Sequence, residues 1–290
     1  MDYINKTYDE ERALYAVKNA RVENCRFDGP KDGESALKEA SDITVTNCFM
    51  NLRYPFWHVS NGRITNTEMT EKCRAALWYD NNIQLEGCTL NGIKALRECE
   101  NILLKDSKVN SPEFIWKCRN LTVENVIIEE SEYPFFEVKD AKISKLKMKG
   151  KYSFQYGENI QITDSDFDTK DAFWHTKNVT VKNSTIKGEY LAWYSENLTL
   201  INCRIIGTQP FCYCKNLVLK NCTMEDCDLA FERSTVEVEV SGKIDSIKNP
   251  LEGKITADSI GQIILEEEIC DKSKTQITEG KILFPIPQTS

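Results

Sequence analysis

Apolar and polar residues alternate along most of the chain in a nine-residue phrase that returns at a nearly fixed interval. The phrase reads Asn, apolar, any, apolar, any, Asn or Asp, small, any, apolar, and its first copy occupies residues 19–27. Its first residue is called the anchor, and other residues are placed by their distance from it. The anchors are Asn19, Asp42, Asn61, Asn82, Asn101, Asn120, Asp140, Asn159, Asn178, Asn197 and Asn216. Consecutive anchors lie 19 to 23 residues apart, which predicts a solenoid.

Two features of the phrase identify the type of solenoid. The apolar positions one and three residues after the anchor, such as Val179 and Val181, face the same side of a strand because strand side chains alternate. Five residues after the anchor an Asn stands in seven coils, and Asn tolerates the left-handed backbone angles of a corner. We therefore predict an all-β, single-domain, right-handed parallel β-helix of about 11 regular coils.

The two ends of the chain depart from the phrase and are predicted to cap the β-helix, since an open end exposes unpaired strand edges. Residues 1–18 form the predicted N-terminal cap, in which Thr7 to Ala16 is a short amphipathic helix with a Thr7–Glu10 capping box. Residues 19–234 hold the regular coils. Residues 235–290 are predicted to form two or three irregular coils and a C-terminal cap, with residues 282–287 covering the last edge.

Composition and charge narrow the function classes. A net charge of −8 with no basic stripe argues against a nucleic-acid partner, and no run of about 18 apolar residues is present for a membrane span. The start of the chain is polar and acidic, unlike a secretory signal. The 12 cysteines include no CxxC pair and are interpreted as reduced apolar residues, which favours a cytoplasmic protein. We expect no cofactor and no metal site, and the oligomeric state is left open.

The residues before each anchor form three columns that a scaffold alone does not require. The tryptophan column stands four residues before the anchor and includes all five tryptophans of the chain. Its members are Lys38, Trp57, Trp78, Arg97, Trp116, Phe136, Gln155, Trp174, Trp193 and Cys212. The histidine–tyrosine column follows one residue later: Glu39, His58, Tyr79, Glu98, Lys117, Glu137, Tyr156, His175, Tyr194 and Tyr213. The charged strip lies seven to eight residues before the anchor: Glu34, Arg53, Arg74, Lys94, Glu113, Glu132, Lys151, Lys170, Asp171 and Glu189.

These columns suggest an elongated groove for an oligosaccharide or polysaccharide. Sugar rings stack on aromatic side chains, and charged groups bond to sugar hydroxyls or carboxylates. The candidate substrate-binding residues are Trp57, His58, Trp78, Tyr79, Trp116, Trp174, Trp193 and Tyr194. The candidate catalytic residues are Arg74, Lys94, Arg97, Glu98, Glu113, Asp171, Glu189 and His175, with Glu137 and His58 as further acid–base groups.

Two carbohydrate chemistries and two non-enzymatic functions fit this pattern. Glycoside hydrolysis needs two carboxyl groups about 5 to 9.5 Å apart, which acidic residues one or two coils apart can supply. A lyase would use Arg74, Lys94 or Arg97 as a base beside an acidic sugar. The alternatives are a non-catalytic β-helix that binds a glycan or a protein along the same face, and a structural scaffold.

The scaffold hypothesis depends on which way the tryptophan column points. The residues five before the anchor are also apolar, as at Phe56, Phe154 and Phe173. Two adjacent columns cannot both point inward from one straight strand. Because Lys38, Arg97 and Gln155 share the tryptophan column, we expect that column to face outward unless the strand bends.

Several longer words of the sequence are similar to those of a bacterial family of unknown function, numbered 3737, of the pectin-lyase-like β-helix type. They are residues 11–14 (ERAL), 33–39 (GESALKE), 54–57 (YPFW), 74–79 (RAALWY), 150–155 (GKYSFQ), 170–174 (KDAFW), 188–193 (GEYLAW) and 228–232 (DLAFE). The resemblance extends from about Tyr8 to Ile264. It implies a right-handed parallel β-helix, and it supplies neither an activity nor any catalytic residue.

Overall fold

The computed structural model describes residues 1–29 and 33–280. The chain divides into two compact units, one of residues Met1–Ile160 and one that begins at Gln161. Within each unit, strands pair in parallel with the equivalent strands one coil away. The fold is thus the predicted right-handed parallel β-helix.

The strands are short in most coils. Those of the first unit are β1 (Asp2–Ile4), β2 (Thr7–Tyr8), β3 (Lys18–Glu23), β4 (Arg26–Phe27), β5 (Ser41–Thr46), β6 (Phe49–Met50), β7 (Ser60–Thr65), β8 (Glu68–Met69), β9 (Asn81–Glu86), β10 (Thr89–Leu90), β11 (Glu100–Lys105), β12 (Lys108–Asn110), β13 (Arg119–Glu124), β14 (Ile127–Glu132), β15 (Lys139–Ser144) and β16 (Lys147–Lys151). Strand β17 (Glu158–Thr163) contains the boundary between the units. Those of the second unit are β18 (Asp166–Lys170), β19 (Lys177–Lys182), β20 (Thr185–Lys187), β21 (Glu196–Ile201), β22 (Arg204–Ile206), β23 (Leu217–Glu225), β24 (Thr235–Lys248), β25 (Glu252–Ile264) and β26 (Thr275–Glu279), with a 3-10 helix at Lys272–Lys274.

The coils stack in register because the phrase returns its apolar residues to the same place. Strand β7 pairs with β9 so that Ile64 lies opposite Leu85, and both side chains are fully buried. In the second unit Val179 lies opposite Leu198 in the same way. Each unit therefore has a core of apolar columns, and burial stabilises it by about 25 cal/mol for each Å² of apolar surface removed from water.

Two corners of each coil are made by the anchor and by the residue five positions later. Both adopt left-handed backbone angles, with φ of 55° at Asn61 and 48° at Asn66. The Asn61 amide donates to the Asp42 carboxylate at 2.9 Å, and the Asn82 amide donates to Asn61 at 2.7 Å. Corner side chains thus form hydrogen bonds from coil to coil. These bonds are a second reason for Asn at the corners, beside its tolerance of left-handed backbone angles.

A third bend explains why the two adjacent apolar columns do not compete for the core. The residues seven, five and three before the anchor all have left-handed angles, as at Tyr54, Phe56 and His58. The N–H groups of Tyr54 and His58 donate to the following coil, whereas that of Phe56 donates to the preceding coil. As a result Phe56 is fully buried, Trp57 is half-buried and His58 is exposed.

The predicted N-terminal helix is wrong. Residues 7–8 form strand β2, which pairs with β4, and residues 11–16 form turns with left-handed angles at Arg12, Leu14 and Ala16. These three residues stand seven, five and three before the anchor Asn19, so the segment is the third side of an additional coil. The Arg12 N–H donates to the Glu34 carbonyl at 2.9 Å. Bonds to the neighbouring coil replace the bonds along the segment that a helix needs, which outweighs the local capping signal.

The C-terminal coils are irregular, as predicted. Strands β24, β25 and β26 pair in parallel, but β24 and β25 are 14 and 13 residues long and their register shifts between Val240 and Lys243. The predicted edge cover at residues 282–287 lies outside the described residues.

All 12 cysteines are buried and unbridged, in agreement with their interpretation as small apolar residues. Some of them contact one another between coils, and the backbone N–H of Cys99 donates to the Cys118 sulfur at 3.4 Å. Among the described residues no helix has the length and apolar character to cross a membrane.

Candidate functional site

The aromatic face of each unit is formed by the tryptophan column and the histidine–tyrosine column. Every tryptophan is half-buried, and its indole N–H donates to a backbone carbonyl of the next coil at 2.6 to 2.8 Å. The acceptors are Ala75, Lys94, Tyr133, Tyr190 and Gln209. These carbonyls all lie seven residues before an anchor, at the start of the third bend. The tryptophans therefore help to hold the bend as well as forming part of the surface.

In the first unit the tryptophan column is a continuous ladder that contains a cation. Trp57 and Trp78 stack with ring centroids 5.1 Å apart and planes 3° apart. The Arg97 guanidinium carbon lies 5.0 Å from the Trp78 ring centroid and 4.7 Å from that of Trp116. Phe136 follows at 4.9 Å from Trp116. Each inner ring of this ladder is thus covered on both faces.

The histidine–tyrosine column of the first unit is aromatic only in part. His58 stacks on Tyr79 with centroids 5.0 Å apart, and the next members are Glu98, Lys117 and Glu137. Tyr79 is 41% exposed. Its ring edge and hydroxyl therefore face solvent beside a charged segment of the same column.

In the second unit the histidine–tyrosine column is the continuous one. His175 stacks on Tyr194 at 4.9 Å, and Tyr194 stacks on Tyr213 at 4.7 Å, with planes within 10°. The tryptophan column holds one stacked pair, Trp174 and Trp193, at 5.5 Å. Tyr194 is 46% exposed, so this column presents a row of imidazole and phenol edges to solvent.

Stacking along the coils changes what the aromatic face can do. A sugar ring that packs on an aromatic side chain needs a free ring face, and in both ladders neighbouring coils cover those faces. The expected stacking of sugars on the tryptophans therefore has little ring surface to use. Ring edges, tyrosine hydroxyls and imidazole nitrogens remain accessible for hydrogen bonds.

Most members of the charged strip are neutralised by a neighbour of opposite sign one coil away. In the first unit Lys94 lies 3.5 Å from Glu113, Arg53 lies 3.4 Å from Glu34, and Lys151 lies 2.7 Å from Glu132. In the second unit Lys170 lies 2.9 Å from Glu189. The Glu189 carboxylate raises the pKa of Lys170 through their hydrogen bond. The candidates Lys94, Glu113 and Glu189 are therefore members of ion pairs.

Three candidate residues of the first unit lack such a partner. Within residues 1–29 and 33–280, the side chains of Arg74, Arg97 and Glu98 make no ion pair and no hydrogen bond. Glu98 lines a surface pocket together with Lys117 and Glu137, which lie 3.9 Å apart. The remaining pocket residues are Cys99, Glu100, Cys118, Arg119 and Lys139.

One candidate carboxyl of the charged strip is buried. Asp171 in the second unit is only 5% exposed, and burial raises the pKa of its carboxyl. The negative charge of Glu189 raises this pKa further, while Lys170 acts in the opposite direction. Asp171 and Glu189 lie in adjacent coils. Asp171 is the buried member of this pair, and Glu189 is the member that pairs with Lys170.

A buried carboxyl that the sequence interpretation missed lies behind the aromatic face of the first unit. Asp80 is 1% exposed, and its Oδ1 accepts the Val59 N–H at 2.7 Å. Its Oδ2 has no hydrogen-bond partner among the described residues. Burial raises the Asp80 pKa well above its ordinary value. The sequence contained a signal that this position is buried. Asp80 stands two residues before its anchor, and the equivalent residues of the adjacent coils, Val59 and Cys99, are both apolar.

Residues for metal binding are not brought together. Across the described ranges 1–29 and 33–280, no group of three or more His, Cys, Asp or Glu side chains has the arrangement to hold a metal ion. His58 and His175 instead stack on tyrosines.

Solved structures with a similar course of the chain belong to proteins of different kinds. The A-module of a mannuronan C-5 epimerase from Azotobacter vinelandii is 9% identical, with 82% of this chain and 87% of that chain covered and a TM-score of 0.34. A surface adhesin of Streptococcus pneumoniae is 11% identical, with coverages of 89% and 71% and a TM-score of 0.37. A pentapeptide repeat protein from Nostoc is 7% identical, with coverages of 80% and 87% and a TM-score of 0.29.

These similarities carry no information about activity. No curated protein matches the sequence. The sequence model of one family, described as a protein of unknown function, matches residues 2–278, so the chain belongs to the DUF3737 family.

Proposed function

We propose that the chain binds a linear oligosaccharide or polysaccharide along its aromatic face. The observation that carries this proposal is the stacked row of His175, Tyr194 and Tyr213, whose centroids are 4.9 and 4.7 Å apart and in which His175 and Tyr194 are exposed and Tyr213 is half-buried. A site that repeats at each coil suits a ligand whose own chemistry repeats. An extended glycan advances by one sugar unit over a distance similar to the coil spacing, whereas a globular protein surface has no such repeat.

The chemistry of the row suits sugar hydroxyls. Phenol and imidazole groups both donate and accept hydrogen bonds, as sugar hydroxyls do. Stacking fixes the rings before a ligand arrives, so little side-chain entropy is lost on binding. The flanking ion pair of Lys170 and Glu189 supplies charged donors and acceptors at the edge of the same face.

The first test is a calorimetric titration with neutral oligosaccharides of increasing length. Affinity that rises with length and then levels off would support a repeated site. The double variant Tyr194→Phe, Tyr213→Phe keeps the rings and removes two hydroxyls, so it should weaken binding. Tyr3→Phe lies outside the aromatic face and is the matched control. Affinity independent of length, or equal in all variants, would contradict the proposal.

A second candidate function, glycoside hydrolysis, is favoured by the carboxyl pair of Asp171 and Glu189. A hydrolase needs one carboxyl that keeps its proton to donate it to the leaving group, and a second that is ionised. Burial raises the pKa of Asp171, and a carboxyl that donates a proton to the leaving group needs a shift in this direction. For the lyase hypothesis no comparable feature supports Lys94, because this residue is paired with Glu113.

Hydrolysis and binding are separated by product analysis. Oligosaccharides that bind in the titration are incubated with the protein and analysed for shorter products by chromatography. Shortened products that disappear with Asp171→Asn would support hydrolysis. Intact ligand after prolonged incubation would restrict the function to binding.

A further inference from the structure

Arg97 occupies the place of an indole in the ladder of the first unit. It pairs with Trp78 on one side and with Trp116 on the other through the backbone, and its guanidinium lies between the two rings. The guanidinium therefore has an indole ring on each side. A planar cation between two indoles is held in place by a cation–π contact with each ring. What remains accessible is the edge that carries its N–H groups.

That edge has no acceptor within the described part of the chain. The neighbouring cations of the face have partners, since Lys94 pairs with Glu113 and Lys117 pairs with Glu137. Among the candidate residues in these coils, the cations Arg74 and Arg97 and the anion Glu98 make no ion pair within the described residues.

We propose that Arg97 binds an oxyanion of the glycan, in which two adjacent oxygens accept from the guanidinium edge. This inference rests on the proposed glycan-binding function and adds an acidic substrate class to it. A guanidinium presents two parallel N–H groups in a fixed fork, which a carboxylate or a sulfate ester matches and a neutral hydroxyl does not. Because the indoles already fix the fork, binding does not have to order a flexible side chain.

The test compares ligands that differ only in charge. Oligogalacturonate is titrated against its fully methyl-esterified form, and a sulfated cello-oligosaccharide against the unsulfated one. The wild-type chain should prefer a charged ligand by about 10-fold or more, the range of charged hydrogen bonds. Preference for the galacturonate alone assigns a carboxylate, and preference for the sulfated sugar alone assigns a sulfate ester.

The variants locate that preference. Arg97→Lys keeps the charge but loses the planar fork, and it should reduce the preference to about 3-fold or less, because the point charge of lysine remains without the bidentate bond. Arg63→Gln is the matched control, since it alters net charge on another side of the coil, where Arg63 pairs with Glu86. The melting temperature of each variant shows whether it is folded.

The failures of the two proposals differ. Equal affinity of the wild-type chain for charged and esterified ligands would overturn the assignment of Arg97 and leave glycan binding in place. An equal effect of Arg97→Lys and Arg63→Gln would likewise overturn it, because general electrostatics would then explain the preference. Binding of none of the four ligands would overturn both.

Discussion

The two units carry the same three columns but fill them differently. In the first unit the tryptophan column is continuous, from Trp57 to Phe136, and it contains Arg97. Its histidine–tyrosine column changes to charged residues after Tyr79. In the second unit the order is reversed. The histidine–tyrosine column stacks without interruption, and the tryptophan column contains only the stacked pair Trp174 and Trp193.

This difference shows that scaffold and surface chemistry vary independently in a stacked coil. The third bend requires only that the position five before the anchor be buried, as at Phe135 and Phe173. The side chains at the next two positions are half-buried or exposed in most coils, and their chemistry differs from coil to coil. At these positions the first unit includes charged side chains, whereas the second unit includes a row of neutral rings whose edges can form hydrogen bonds.

The buried column two residues before the anchor also separates the units. In the second unit its polar members have partners: Ser195 Oγ lies 3.2 Å from Cys214 Sγ, and Ser234 Oγ donates to the Phe211 carbonyl at 2.6 Å. In the first unit Asp80 Oδ2 lacks a partner among the described residues. Its carboxyl is therefore a local weakness in a well-packed core.

The largest expected effect concerns Asp171, the one carboxyl of the charged strip whose pKa is raised. If the second unit hydrolyses a glycan, Asp171→Asn should lower the rate about 10²- to 10⁴-fold, the usual contribution of a general acid. The rate of the wild-type chain should fall as pH rises through the raised pKa, because the proton is then lost. Chromatography of products across pH gives the measurement.

Matched variants keep the Asp171 prediction specific. Asp168→Asn removes a carboxylate of the same unit that pairs with Lys187 and should leave the rate unchanged. Glu113→Gln makes a corresponding change in the charged strip of the first unit. An equally large loss of rate with Glu113→Gln would show that hydrolysis does not depend specifically on the second unit.

The next effect concerns the stability of the two ladders. Trp78→Ala should lower the free energy of unfolding by about 3 kcal/mol, since it removes a ring covered on both faces and the indole bond to Lys94. Trp193→Ala should cost about 2 kcal/mol, because that column has one stacked neighbour. Trp78→Phe keeps a ring and should cost about 1 kcal/mol. Urea denaturation measures all three, and equal costs for Trp78→Ala and Trp193→Ala would contradict the comparison.

A stabilising effect is expected from Asp80→Asn at pH 8, because burial raises the pKa of this carboxyl and makes its ionised form unfavourable in the folded state. The folded pKa of Asp80 is raised, so the folded state holds more protons than the unfolded state above about pH 4. Stability of the wild-type chain therefore falls as pH rises from about 4 through the folded pKa, and the gain from Asn should vanish near pH 4.

Thermal unfolding at pH 4 and pH 8 checks the Asp80 prediction. Asp42→Asn is the control, because it makes the same chemical change at an exposed corner where Asn is the usual residue. A gain of equal size at both pH values would show that the carboxyl charge is not the cause.

The smallest expected effect is on ligand affinity. Tyr194→Phe should weaken glycan binding about 5-fold, the equivalent of one hydrogen bond of about 1 kcal/mol. Tyr79→Phe should weaken binding of a neutral glycan less, because its column continues into charged residues rather than further rings. Equal losses in calorimetric titrations would mean that the neutral ligand uses both units alike.

The register of the β-helix was predictable because each coil repeats one local rule. Apolar residues two apart define an inward strand face, and Asn at two positions defines corners, so the inward columns and the corners followed from spacing. The N-terminal segment was mispredicted for the opposite reason. Its capping signal at Thr7 and Glu10 is local, whereas the bonds that decide its conformation come from the next coil, as at Arg12 and Glu34.

The sequence by itself determined the coil, its corners and which residues share a column. Only the tertiary structure decided how those columns are used, because ring faces, ion pairs and burial depend on residues of the neighbouring coil. It showed that Trp57 and Trp78 cover each other, that Glu113 is neutralised, and that Asp80 is buried without a second partner in the described chain. The spacing of the phrase is a property of each coil, whereas the chemistry of the face is a property of adjacent coils in contact.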